Sequence, residues 1–162
     1  MPTPDFIIDL RKKIGNDLLW LMGASAYIHR TTPTGTEVLL IRRADNGEWT
    51  LASGIVDPGE NPAQTAVREA MEEAGVVIEI ERMLWTVVME PVRYDNGDWC
   101  QYLDHGFSAR WVSGHPHPAD GEATDVGWWP VDELPTPRHP HLRAMVRIGL
   151  DNPADVQLDF PT

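Results

Sequence analysis

The stretch GIVDPGENPAQTAVREAMEEAGV, residues 54–76, decides how this chain is read. Gly54, Pro58 and Gly59 force a loop, after which a helix is predicted over residues 62–74. Asn61 offers a capping oxygen, Pro62 suits the first helical position, Gln64 closes a capping box, and Gly75 takes the left-handed terminating conformation. At about 100° per residue, Ala63, Ala66, Val67, Ala70 and Ala74 fall on one stripe of mostly small side chains, which predicts a buried face lying close against a sheet. Glu69, Glu72 and Glu73 fall on the other side, within one turn. Like charges at that spacing cost an isolated helix about 0.2–0.5 kcal/mol per pair, and they stand near the helix C-terminus, where the macrodipole disfavours anions. Arg68 can pair with Glu72, yet one guanidinium does not neutralise three acids. On the helix alone, the cluster reads equally as a solvated acidic face and as an oxygen-ligand set for Mg2+ or Mn2+.

Working outward, Phe6, Ile7, Leu10 and Ile14 predict a short amphipathic helix over residues 5–14, with Asp5 as N-cap and Gly15 as stop. Strands are predicted at Leu18–Ile28 and Val38–Ile41, around the TPTGT turn of residues 32–36, and at Trp49–Leu51. Beyond the central helix, Val76–Ile80, Met83–Val92, Leu103–Val112 and Val126–Trp129 read as strands, with a turn at Asp95–Asp98. Asp132 and Glu133 resemble the cap and first turn of a helix, and a last helix is expected over 139–150. Helices interleaved with a mixed, curved sheet point to one α/β or α+β layered domain over residues 1–162.

A chain of 162 residues suits one domain, and 42% hydrophobic with 23% charged residues excludes a disordered protein. Thirteen Lys and Arg against 25 Asp and Glu give −12, a surface that repels phosphate backbones and argues against duplex nucleic acid as partner. A phosphate ligand therefore needs a bridging cation. The single Cys100 makes no internal disulfide, which fits a reducing, cytoplasmic setting. No apolar run approaches the roughly 18 residues of a membrane span, so neither membrane insertion nor export is expected.

Gly54, Glu60, Arg68, Glu69, Glu72, Glu73 and Gly75 stand as G-x5-E-x7-R-E-x-x-E-E-x-G, closed by Val76. This resembles the signature of the Nudix hydrolases, in the loop-then-helix context that the signature requires, and the likeness extends over roughly residues 20–135. The resemblance implies an α/β/α sandwich around a curved mixed sheet and hydrolysis of a nucleoside diphosphate linked to another moiety. Carried over, Glu69, Glu72 and Glu73 would ligate Mg2+ or Mn2+, Glu69 would also be a candidate general base, and Arg68 would orient the glutamates. Glu60 would stabilise the loop and the water network around the metal, and the Ser53 carbonyl matches a main-chain ligand position. A further acid from a later loop is expected, with Glu122 preferred to Glu133. Homodimers are frequent in the family, and the first helix could cap its own sheet or pack across a two-fold axis.

Two departures stand out. Ala52-Ser53-Gly54 replaces the family's Pro-Gly-Gly, which narrows the backbone options at Ser53, and Ala70 replaces a larger aliphatic residue. For the substrate, Pro91 matches a family cue for ADP-ribose and Tyr94 one for dinucleoside polyphosphates, so the two cues cancel. Arg42, Trp49 and Tyr94 are the candidate substrate contacts, with Arg43 beside Arg42 at the strand end. The pairs His115/His117 and His139/His141, each split by proline, read as loops rather than zinc sites. The alternative to an enzyme is a module that senses a nucleotide without cleaving it, and three mutually repelling acids argue against that. An isomerase acting through a thiol would need Cys100, which has no base nearby in its motif.

Overall fold

The computed structural model describes residues 3–161. In chain order it contains α1 (Asp5–Ile14), β1 (Leu19–Thr32), β2 (Gly35–Arg43), β3 (Trp49–Thr50), β4 (Ala52–Ile55), α2 (Pro62–Ala74), β5 (Val77–Val88), β6 (Val92–Arg93), β7 (Trp99–Ser113), β8 (Ala123–Pro130) and α3 (Leu142–Asp151). All eight strands join one mixed sheet. β1 is its spine. One edge pairs in parallel with β7 from Leu19 opposite Cys100 to His29 opposite Arg110. The other edge is divided, with β4 antiparallel along Gly23–Ala26 and β2 antiparallel along His29–Thr32.

The alternation of side chains along β1 sorts the core into layers. Ala24, Ala26 and Ile28 point to one face, where Ala66, Ala70 and Ala74 of α2 pack with Leu39, Ile41 and Phe107. Tyr27 points the other way, joining Val38, Leu40 and Trp85 beneath Leu142, Met145, Val146 and Ile148 of α3. Helix α1 closes a third cluster through Ile7, against Leu19, Leu21 and Cys100. The result is the expected α/β/α arrangement. No helix among the described residues is long and apolar enough to cross a membrane.

Several local expectations change. The β1–β2 strands run into a tighter hairpin than predicted, with Thr32 opposite Gly35. Gly54 belongs to strand β4 rather than to a loop, because its backbone pairs with Ala24 of β1. What read as two strands around residue 81 is the single strand β5, whose register against β7 shifts between Ile80 and Arg82 and again between Met83 and Trp85. Each shift inserts a residue and breaks the period-two pattern that sequence reading depends on, while adding curvature. Pro4, not Asp5, occupies the N-cap of α1, and Leu10 is exposed. Asp132 and Glu133 form a turn rather than a helix start. The final helix begins at Leu142 instead of His139. The tail, for which nothing was predicted, returns to the sheet: Gln157 bridges to Trp85, and the Phe160 ring meets the Trp85 ring edge-on at 5.7 Å.

Candidate active site

Helix α2 is held at both ends as its sequence specifies. Asn61 and Gln64 exchange side-chain and backbone hydrogen bonds in a capping box, worth about 1 kcal/mol at such positions, and Gly75 adopts the left-handed conformation. The helix is therefore rigid where its acids stand, but its faces are not those expected. Val67 lies 39% exposed, whereas Glu69 and Glu73 are buried at 1% and 7%. Only Glu72 faces solvent.

Close approach explains how Glu69 is buried. A Cβ at position 54 would lie 1.9 Å from Glu69 Oε1, so the glutamate side chain crosses directly over Gly54 of β4, and only glycine admits it. Glu73 is fixed on the same strand, where the Ser53 amide N–H donates to Glu73 Oε2 at 2.9 Å. Burial pushes Glu69 up to about 7, against the pull of Arg68, and pushes Glu73 up to about 8, against the Ser53 hydrogen bond.

Arg68 is the hub of the cluster. Its Nε and Nη2 donate to the two oxygens of Glu60, both at 2.9 Å, while Nη1 donates to Glu69 Oε1 at 2.7 Å and to Glu72 Oε2 at 3.1 Å. Nη2 also reaches the Ile55 carbonyl at 3.2 Å, tying the helix to β4. The bidentate bond from Arg68 holds Glu60 down to about 2, helped by Thr65, whose hydroxyl donates to Glu60 Oε2 at 2.8 Å. Thr65 is fully buried and was missed from sequence, because a threonine inside a helix carries no motif signal.

The acids open onto a cavity of about 600 Å3. Ser53, Gly54, Glu69, Glu73 and Glu122 line it together, Glu122 arriving from the loop before β8, where its carbonyl accepts the Ala44 N–H at 2.7 Å. Glu133 is not among the described residues lining it. Tyr94 and Pro91 do line it, Tyr94 sharing a 3.0 Å hydrogen bond with the Tyr102 hydroxyl.

Two expected substrate contacts lie elsewhere. Arg42 is exposed, with Nε on the Gly47 carbonyl, and Arg43 lines the cavity in its place, because successive residues of a strand point to opposite faces. Trp49 is 7% exposed and packs edge-on against Trp129 at 5.3 Å, so its indole belongs to the core while its neighbour Thr50 lines the cavity. His139 and His141, read from sequence as loop residues, form part of the wall. Burial holds His139 down to about 4. Cys100 is buried in the same wall, with Arg11 Nη2 donating to its sulfur at 3.4 Å.

An all-oxygen donor set with two carboxylates out of water suits Mg2+ or Mn2+, and Glu73 makes no ion pair among the described residues that would neutralise it. In this arrangement Arg68 and the Ser53 amide hold the acids, and among the described residues no three acid, histidine or cysteine side chains converge around a common point.

The NUDIX domain family model matches residues 22–147. Among curated proteins, the chain is 33% identical over 120 residues to the mouse 8-oxo-dGDP phosphatase NUDT18, covering 70% of this chain and 34% of that protein. It is 35% identical over 103 residues to the NAD-capped RNA hydrolase NudC of Pseudomonas aeruginosa, covering 62% of this chain and 34% of that protein. The chain thus spans about a third of the length of these relatives. Among solved structures, the MutT NUDIX hydrolase of Burkholderia pseudomallei superposes with a TM-score of 0.62 at 28% identity, covering 80% of this chain and 97% of that one. The intact signature on α2, the three-layer sheet and a family match over most of the sequence agree, and the chain belongs to the Nudix hydrolase family.

Proposed function

We propose that the chain hydrolyses a nucleoside diphosphate linked to another moiety, using Mg2+ or Mn2+ held by Glu69, Glu72, Glu73 and the Ser53 carbonyl. The observation that carries this reading is the burial of Glu69 and Glu73 side by side on one cavity wall, with a single guanidinium among the acids. A protein that only packed this helix against its sheet would not hold two carboxylates out of water at such a desolvation cost. Glu69, Glu72, Glu73 and the Ser53 carbonyl would hold the cation, which would supply polarisation of a phosphoryl oxygen and offset negative charge in the transition state.

Glu69 is the proposed general base, since its carboxylate is buried on the cavity wall beside the acids that would hold the cation and the attacking water. Arg68 fixes the orientation of Glu69 and Glu72, and Glu60 with Thr65 fixes Arg68. Glu122 is proposed as a fourth acid, from the loop before β8, and Arg43 and Tyr94 are the proposed contacts to the far part of the substrate. Arg43 is held there by a charged hydrogen bond from Nε to Asp45 at 2.9 Å.

The test is a mass-spectrometric product screen with Mg2+ and Mn2+ over ADP-ribose, nucleotide sugars, dinucleoside polyphosphates and normal and oxidised nucleoside triphosphates, with Glu72→Gln alongside. Metal-dependent cleavage that disappears in Glu72→Gln upholds the reading. Metal-dependent binding without cleavage across the panel overturns it in favour of a nucleotide sensor.

A further inference from the structure

Asp104 is a buried carboxylate in the cavity wall that the proposed hydrolysis does not use. It sits on β7 with 6% of its surface exposed, and two neutral donors fix its orientation. Ser25 Oγ donates to Oδ1 at 2.9 Å and Trp85 Nε1 donates to Oδ2 at 2.8 Å. Trp85 belongs to the cluster beneath α3, so Asp104 lies on the face of the sheet opposite the acids of α2. Among the described residues it forms no ion pair. A carboxylate offers about four acceptor positions, so about two remain after these bonds.

Those positions are open on one side for a definite reason. Gly23 stands opposite Asp104 in the β1–β7 register, and a Cβ there would come within 3.1 Å of Asp104 Oδ1. Glycine at 23 leaves the oxygen uncovered toward the cavity that both residues line. Arg43 is the one Lys or Arg among the described lining residues, whereas Glu90 and Asp104 add acceptors and Asp98 is paired with Arg11 at 3.1 Å. This part of the wall therefore suits a neutral group rich in N–H donors rather than a second phosphate.

We propose that Asp104 reads the base of the nucleotide, selecting a nucleobase that presents an exocyclic amino group, with Gly23 keeping the approach to Oδ1 open. The assignment rests on the nucleotide reading above. An amino N–H occupies a vacant acceptor position and restores to the carboxylate some of the stabilisation it lost on leaving water. Burial pushes the Asp104 carboxyl above its ordinary range, against the hydrogen bonds from Trp85 and Ser25. A base with only a carbonyl at that edge sets oxygen against oxygen and leaves buried acceptors unpaired, the kind of mismatch by which polar sites discriminate strongly.

The experiment is calorimetric binding of GDP, ADP, CDP, IDP and UDP in Mg2+, beside the cleavage screen on the same protein. GDP and IDP differ only in the 2-amino group. The amino-bearing diphosphates are expected to bind at least about tenfold more tightly than IDP and UDP. In Asp104→Asn the amide oxygen stays on Trp85 Nε1–H, where an NH2 group would clash, so the NH2 takes the Oδ1 position facing Gly23 and the Ser25 hydroxyl turns to accept from it. The preference should then vanish or invert toward IDP and UDP. Gly23→Ala, which crowds Oδ1, should shrink it to about threefold or less, with circular dichroism confirming the fold of each variant.

Equal affinity for GDP and IDP in the unaltered protein, an unchanged preference in both variants, or no binding of any of the five overturns the assignment. Metal-dependent cleavage without base discrimination removes this assignment and leaves the hydrolase reading standing, whereas discrimination without cleavage does the reverse.

Discussion

Helices α2 and α3 cover opposite faces of one sheet, and both need a glycine to reach it, yet they use the closeness for opposite ends. Under α2 the glycine is on the sheet, where Gly54 admits the carboxylate of Glu69. On α3 the glycine is in the helix, where Gly149 lets the Tyr27 ring approach so near that a Cβ would lie 2.4 Å from it. The α3 contact buries aromatic and aliphatic surface and contributes stability directly. The α2 contact buries charge, which costs stability unless a cation arrives. The better-specified ends belong to the costlier helix: α2 has a full capping box, whereas α3 starts at His141 without a side-chain cap.

The sharpest way to break this contrast is to fill both glycines. Gly54→Ala should displace Glu69 by more than an ångström and lower kcat/KM on whichever substrate the screen identifies by about 100-fold or more. Full activity in that variant would end the claim that Gly54 exists for Glu69. Gly149→Ala should instead lower stability by about 1–3 kcal/mol in denaturant titration, by overpacking against Tyr27, with kcat at permissive temperature unchanged.

Acidity sharpens the comparison further. Glu69 and Glu73 have folded-state values raised to about 7 and about 8, so above their unfolded value the folded state holds protons that the unfolded state has released, and stability falls as pH rises. His139, lowered to about 4, acts in the opposite sense but only below its unfolded value near 6.5. Between pH 6.5 and 8 the two glutamates therefore dominate. Metal-free protein should lose on the order of 1 kcal/mol across that window, and Mg2+ should flatten the slope. A flat profile in chelator would show that the acids are not desolvated. The smallest effect is expected on the solvent stripe of α2, where Val67→Gln and Met71→Gln should each change stability by less than about 0.5 kcal/mol, by thermal melts, despite the apolar stripe that sequence reading placed inside at Val67.

That misplacement shows where legibility ends. The bounds of α2, its caps and the identity of its acids were all readable, because capping chemistry and charge spacing are local. The inward turn of Glu69 and Glu73 was not, since a helical wheel assigns carboxylates to water and knows nothing of a glycine on a neighbouring strand. The exchange of Arg42 for Arg43 at the cavity depended on which face of β2 meets that cavity, and alternation alone does not say which of two adjacent arginines that is. Trp49 was misread for a related reason. An aromatic at a strand end suggests a stacking surface until the indole of Trp129 is found against it.

The divided edge of β1 has a consequence for how such a protein can change. Because β4 and β2 take separate portions of that edge, the sheet is not a continuous wall, and one cavity draws on residues from both layers, Glu69 and Glu73 from α2 and Met145 from α3. The acids and part of the wall thus come from different helices, so substitutions on the α3 side can reshape the cavity while the signature on α2 stays untouched.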